Sequence, residues 1–304
     1  MSDALLRRLV ADDLARPVIP PIAEMAREVA RRHGGRAVLF YGSVLRTGDL
    51  DGMLDFYVLT ERSHHGGLRA RLWPEISFDE VEVGGRVLRA KVAVMPLSTF
   101  AAAADDRLAD TTVWTRFVQP SALAWARDAA TREEVVGAIA AAVRTATRYA
   151  AVLHGGAAPA AAWFDRLFAE TYRAELRVEA PGRGGSILSF RPERYPALLR
   201  AGWAANGWRV EQDGDALRPV VPAIEHRRLA ARWRRRRRLG RPLNLARLAK
   251  AAVTLDGAAR YAAWKIGRHT GLDIAVTPFR ERHPLLAAPG VLWRLWRHRR
   301  AGAR

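Results

Sequence analysis

Apolar and polar positions follow two different periods along this chain. Residues 3–15 and 20–33 carry apolar side chains at helical spacing, separated by Pro17, Pro20 and Pro21 and stopped at His33-Gly34-Gly35. The period then shortens. Arg36-Ala37-Val38-Leu39-Phe40-Tyr41 is a short apolar run that predicts a buried strand, and Gly42-Ser43 follows it directly. Met53 to Thr60 predicts a second strand. Residues 76–83 and 86–95 alternate on either side of Gly84-Gly85, the pattern of a β-hairpin.

From about residue 131 the pattern becomes helical again. Helices are expected at 133–154, 161–175 and from 192 to 203, with a loop at Gly182–Gly185 and a small hairpin around Asp213-Gly214. The fold class that follows is α+β, a mixed sheet with flanking helices. Three regions are expected: a sheet domain at 1–130, a helical, winged-helix-like domain at 131–225, and a basic C-terminal region at 226–304. No internal repeat is seen.

Composition sharpens this picture in two ways. The 304 residues are 49% hydrophobic and 27% charged, as globular chains are, but the formal net charge is +19. Such a field favours polyanions: nucleic acid, an anionic membrane surface or phosphorylated ligands. Arginine greatly outnumbers lysine, so coding bias offers a plainer origin for much of the charge. The absence of cysteine excludes disulfides, thiolate metal sites and cysteine nucleophiles, and fits a reducing cytoplasm. Arg7, Arg8, Asp12 and Asp13 break the first apolar stretch, which does not read as a secretory signal. No run reaches the ~18–20 apolar residues of a bilayer span, so any membrane contact is expected to be peripheral.

The candidate chemistry lies where the first strand ends. A strand, Gly-Ser, a short loop and a strand bearing a carboxylate form an arrangement suited to nucleotidyl transfer. Gly42 lets the backbone approach a triphosphate, Ser43 offers a hydroxyl to a phosphate oxygen, and Asp55 is placed to hold Mg²⁺. The 13-position spacing between Gly42 and Asp55 puts both at one end of adjacent strands. The usual second acid, two positions earlier, is replaced by Met53. Asp51 or Asp49 is the alternative source of a second carboxylate. A common turn followed by a capping or salt-bridging Asp is the plainer reading of the same residues. His64-His65 diverge on either a helix or a strand, which makes them a poor metal pair.

Leu39-Phe40-Tyr41-Gly42-Ser43 followed by Met53-Leu54-Asp55-Phe56 resembles the mitochondrial-type CDP-diacylglycerol synthase, the translocator-assembly-and-maintenance family. That family has Tyr-Gly-Ser-Gly-Val and then a Met-Leu-Asp-Phe strand, likewise without an acid two positions before the Asp. Leu88–Val94 is similar to its Leu-Ile-Lys-Tyr-Gly-Val strand, and Arg116–Pro120 to its Gly-Arg-Leu-Gln-Lys-Pro segment. Thr171–Arg177 falls where the family has Ser-Tyr-Ser-Gly-Asp-Phe-Arg. The resemblance covers about residues 36–200. It departs at Val44, where the family has glycine, and at Gln119, where it has lysine. It implies a nucleotidyltransferase fold and a phosphatidate cytidylyltransferase: CTP and phosphatidate as substrates, Mg²⁺ as cofactor. Tyr41, Gly42 and Ser43 would then meet the nucleotide, Ser43 and Asp55 would be catalytic, Asp55 would hold the metal, and Lys91 and Arg116 would bind phosphate; Asp51, from the loop and not from the resemblance, is the expected second metal carboxylate. The plainer readings are the polar face of an alternating strand for Lys91 and a surface salt bridge for Arg116.

The C-terminal region bears on the acceptor. Val291, Leu292, Leu295 and Trp296 share one helical face, with Arg294, Arg297, Arg299 and Arg300 around it. Trp and Arg together suit an anionic membrane interface, although packing on its own domain explains the same face. The expected location is therefore cytoplasmic, peripheral on the inner face of the cell membrane. Arg234–Arg238 instead suits phosphate neutralisation along nucleic acid. A transferase acting on RNA or another phosphorylated acceptor, or a non-catalytic basic module, are the alternatives. The missing Asp-x-Asp weighs against nucleic acid.

Overall fold

The computed structural model describes residues 2–62, 73–175, 187–254 and 257–282, with 290, 293, 294 and 297 near the C-terminus. The expected loop at Gly182–Gly185, the His64-His65 pair, and Val291, Leu292, Leu295, Trp296, Arg299 and Arg300 lie outside the described residues.

Two helices lead into the sheet, α1 (Ser2–Leu14) and α2 (Pro20–Arg32). Pro20 and Pro21 occupy the first turn of α2, where the missing N–H groups have no intrahelical partner to lose. Then come β1 (Gly35–Tyr41), the short α3 (Ser43–Thr47), β2 (Leu54–Thr60), β3 (Glu75–Val83) and β4 (Arg86–Pro96). Helices α4 (Leu97–Ala104) and α5 (Thr112–Phe117) follow, and β5 (Ala122–Ala126) completes the sheet. The strand order is β3-β4-β2-β1-β5. Only β2 and β4 pair in parallel; the other neighbours are antiparallel. The fold is thus α+β with a mixed five-stranded sheet and flanking helices. Gly84 and Gly85 both have positive φ, 58° and 77°, as a two-residue hairpin turn between β3 and β4 requires.

β2 is apolar at nearly every position because both sheet faces are covered. On one face Val38, Phe40, Phe56, Val58 and Val92 meet Met25, Ala26 and Val29 of α2. On the other, Leu39, Tyr57, Ala93 and Met95 meet α4, α5 and the long α6 (Ala129–His154). Asp128 caps α6, accepting from the Thr131 N–H at 2.7 Å. By length and hydropathy α6 is apolar enough to cross a bilayer, which the sequence reading did not anticipate. It is instead the central helix of the core, with 14 buried residues.

The remaining elements are β6 (Ala158–Pro159), α7 (Ala160–Glu175), α8 (Arg194–Ala205), β7 (Arg209–Asp213), β8 (Ala216–Val220), α9 (Ala223–Thr254), α10 (Ala258–Thr270) and α11 (Pro278–Arg282). Strands β6, β8 and β7 form a second, small sheet. One apolar core runs from Leu6 to Trp233, crossing the expected boundary at 130/131 because α6 packs directly on the sheet.

Candidate active site

The sequence-predicted residues meet in one row across the sheet. Tyr41 of β1 pairs with Asp55 of β2, and Asp55 pairs with Lys91 of β4. Side chains alternate along a strand. Leu39, Tyr57 and Ala93, two positions from these three, belong to the core under α4–α6. Tyr41, Asp55 and Lys91 therefore rise from that same face, at the end where β1 stops. Tyr41 and Asp55 are half-buried and Lys91 is exposed.

Gly42 makes the turn that keeps this end open. Its φ is 94°, a region that side chains rarely enter. A methyl group there would stand 3.1 Å from Asp55 Cγ and closer still to Oδ2, so glycine is needed for the carboxylate to lie against the turn. Gly42 also caps α3, and its carbonyl accepts from Arg46 Nη1 at 3.0 Å. Ser43 is exposed beside it. Val44, which departs from the resembled motif, sends its side chain into the core under α2 and is 3% exposed. It takes no room from the surface at Ser43. Gln119, the other departure, donates from Nε2 to the Thr115 carbonyl at 3.1 Å and ends α5.

Arg116 sits beneath the row, not in a surface salt bridge. Its Nη1 donates to Tyr57 Oη at 2.9 Å, and the guanidinium lies 5.2 Å from the Tyr41 ring centroid and 5.6 Å from that of Tyr57. Burial alone would lower its pKa. The phenols of Tyr57 and Tyr41 and the carboxylates of Glu175 and Asp55 outweigh burial and raise it above the ordinary arginine value. The cation is permanent and its orientation is fixed by aromatic faces.

Asp51 is paired with Arg86 at the start of β4. Its carboxylate is 82% exposed and lies 2.5 Å from Arg86 Nη2. Arg86 starts β4, five residues before Lys91, roughly 16 Å along the strand. Asp49 accepts from the Asp51 N–H and lies 3.9 Å from Arg268 of α10. Among the described residues no three His, Asp or Glu side chains group as metal ligands. Asp55 is the one predicted metal carboxylate placed in the row.

Two further members of the site escaped the sequence reading. Tyr57 orients Arg116, and nothing in an apolar strand marks one tyrosine for that role. Glu175, at the end of α7, is buried, accepts from the Thr111 and Thr112 hydroxyls, and acts electrostatically on Arg116 together with Asp55. It falls within the Thr171–Arg177 stretch that carries part of the resemblance, which was its only signal.

The arginine run resolves by helix phase. Arg232 and Arg236 turn inward onto Asp106, at 3.1 and 2.6 Å, and Arg236 also donates to the Leu108 carbonyl at 2.6 Å. Arg247 pairs with Asp110 and stacks 4.2 Å over Trp73. These arginines bolt α9 to the segment that leads into α5 and Arg116. At the C-terminus, Trp293 is exposed, with the Arg297 guanidinium 4.9 Å from its ring centroid.

Compared with models of known protein families and with curated proteins, the sequence matches none.

Proposed function

We propose that this chain is a nucleotidyltransferase that moves a cytidylyl group from CTP to the phosphate of phosphatidate, releasing pyrophosphate. The observation that carries the reading is the convergence of Asp55, Lys91 and Arg116 beside the Gly42-Ser43 turn. One carboxylate, two cations and an open glycine turn at one strand end suit a triphosphate and a phosphate acceptor. In this reading the mixed sheet is a nucleotidyltransferase fold, and α6–α8 with the small sheet form its winged-helix-like companion.

Asp55 fits Mg²⁺ as an oxygen donor, and the absence of a side chain at Gly42 is what lets its carboxylate lie against the turn. A single protein carboxylate completed by substrate phosphates is an ordinary Mg²⁺ arrangement. When bound, the ion neutralises phosphate charge and polarises the phosphorus–oxygen bonds. The chain's own residues do the positioning. Ser43 and the turn hold the triphosphate, while Lys91 and Arg116 hold the acceptor phosphate for in-line approach. An acceptor phosphate oxygen attacks the α-phosphorus, a new phosphorus–oxygen bond forms, and the bond to the β-phosphate oxygen breaks. The nucleophile is already anionic at neutral pH, so no strong base is required. A lipid acceptor also implies work at a membrane surface, on the cytoplasmic side.

A rival reading, a basic binding module on an inactive transferase scaffold, draws on one observation: the Asp51 carboxylate is paired with Arg86. Incubation of the full chain with labelled CTP and Mg²⁺, with phosphatidate vesicles in one arm and RNA in another, separates the two. Labelled CDP-diacylglycerol supports the proposal. Labelled RNA assigns another acceptor, and no product in either arm supports the binding module.

A further inference from the structure

Helix α9 carries ten arginines and one acidic residue, Glu225, in its 32 positions. Its inward stripe is Leu229, Trp233, Arg236 and Gly240, buried or pressed against α7 and the 106–110 segment. Arg232, Arg236 and Arg247 are spent on Asp106 and Asp110. The other seven arginines are exposed. Among the described residues none of these seven has an acidic partner.

The same outward side carries exposed aliphatic residues. Ile224 is 55% exposed, Leu239 39% and Leu245 56%. They interleave with Arg228, Arg234, Arg235, Arg238 and Arg241, which fan around the axis opposite the buried stripe at 100° per residue. The helix is about 48 Å long by its residue count. It thus presents a strip of cationic charge studded with aliphatic side chains.

We infer that the outer face of α9 is a docking surface for an anionic lipid bilayer, lying flat with its arginines among the lipid phosphates and Ile224, Leu239 and Leu245 inserted between headgroups. Charge complementarity selects an anionic partner, and the guanidinium fork matches phosphate oxygens. The apolar members select lipid over nucleic acid. Aliphatic side chains gain by entering an acyl boundary, whereas single-stranded nucleic acid is gripped by aromatic platforms for its bases. Among the described residues, the exposed large hydrophobics of α9 are all aliphatic. This surface lies on a different element from Trp293 and Arg297, and vesicle binding needs no CTP. Its test therefore stands or falls apart from the transferase reading.

The experiment is cosedimentation of the full chain with vesicles of equimolar phosphatidylcholine and phosphatidylglycerol, with pure phosphatidylcholine vesicles and a single-stranded RNA oligonucleotide as parallel arms. The wild type is expected to bind the anionic vesicles only. The triple variant Arg234→Glu, Arg235→Glu, Arg238→Glu changes exposed side chains that have no acidic partner among the described residues and is expected to lose about a hundredfold in vesicle affinity. A second variant, Leu239→Ser with Leu245→Ser, is expected to bind at least several-fold more weakly at high salt, where charge is screened and insertion dominates. Thermal melts of both variants matching the wild type confirm that they are folded. Unchanged vesicle affinity in the triple variant overturns the inference, as does an equal affinity for both vesicle types. Binding to RNA in preference to vesicles, lost in the triple variant, overturns it in favour of nucleic acid.

Discussion

Asp55 and Lys91 are direct partners on adjacent parallel strands, opposite in charge and on the same face of the sheet. A parallel pair of this kind brings together residues 36 positions apart by way of the β3–β4 hairpin, at the strand end where Gly42 turns the chain. If Lys91 holds a phosphate there, Lys91→Met lowers kcat/KM for cytidylyl transfer by about a hundredfold, the usual effect of losing one positioned donor. Thermal stability should hardly move, because the side chain is exposed. Steady-state kinetics on the purified variant check this.

Gly42→Ala tests the turn. Alanine must adopt a φ near 94° and place its Cβ against the Asp55 carboxylate. A loss of about 1–3 kcal/mol is expected from the backbone alone, read as a lowered urea midpoint with unchanged slope. Gly84→Ala, also at positive φ but with open space around it, should cost less.

The anchoring of α9 predicts a sharp contrast within one arginine run. Arg236 is buried against Asp106, so Arg236→Ala leaves a buried carboxylate short of a partner and should destabilise by about 3–5 kcal/mol. Arg237→Ala, one position along and exposed, should stay within about 0.5 kcal/mol. Denaturant unfolding of the two variants side by side reads the difference.

A pH dependence follows from Asp79 of β3. Burial would raise its pKa, but hydrogen bonds from His33 and Ser77 and the nearby Arg32 lower it below the ordinary value of 3.8. A carboxylate depressed in the folded state adds stability above its unfolded value and loses it as pH falls through the folded one. Asp79→Asn should therefore be less stable than wild type above about pH 4, and the gap should close on acidification below that. Thermal melts across pH 2.5–7, taken as roughly spanning the carboxylate range, provide the measurement.

Much of the architecture was legible because it depends on local period. The run from Ala37 to Tyr41, the alternation around Gly84-Gly85 and the alanine-rich stretch of α6 each set their own element. β5 was not legible: Ala-Leu-Ala-Trp-Ala is short and weakly apolar, and becomes a strand only by pairing with β1. The site divides in the same way. Tyr41, Gly42, Ser43 and Asp55 sit close in sequence and were readable together. Tyr57 and Glu175 take their roles from Arg116, Thr111 and Thr112, about 60 positions away in either case. Asp51 was favoured by nearness to Asp55 in sequence, which says nothing of Arg86 arriving from β4.

The most direct test is transfer from CTP labelled at the α-phosphate to phosphatidate vesicles, with Mg²⁺, by the wild type and by Asp55→Asn. A transferase site at Asp55 predicts labelled CDP-diacylglycerol with the wild type, loss of it on chelation, and at least a hundredfold slower formation by a folded Asp55→Asn protein. Wild-type rates retained by the Asp55→Asn protein would contradict it.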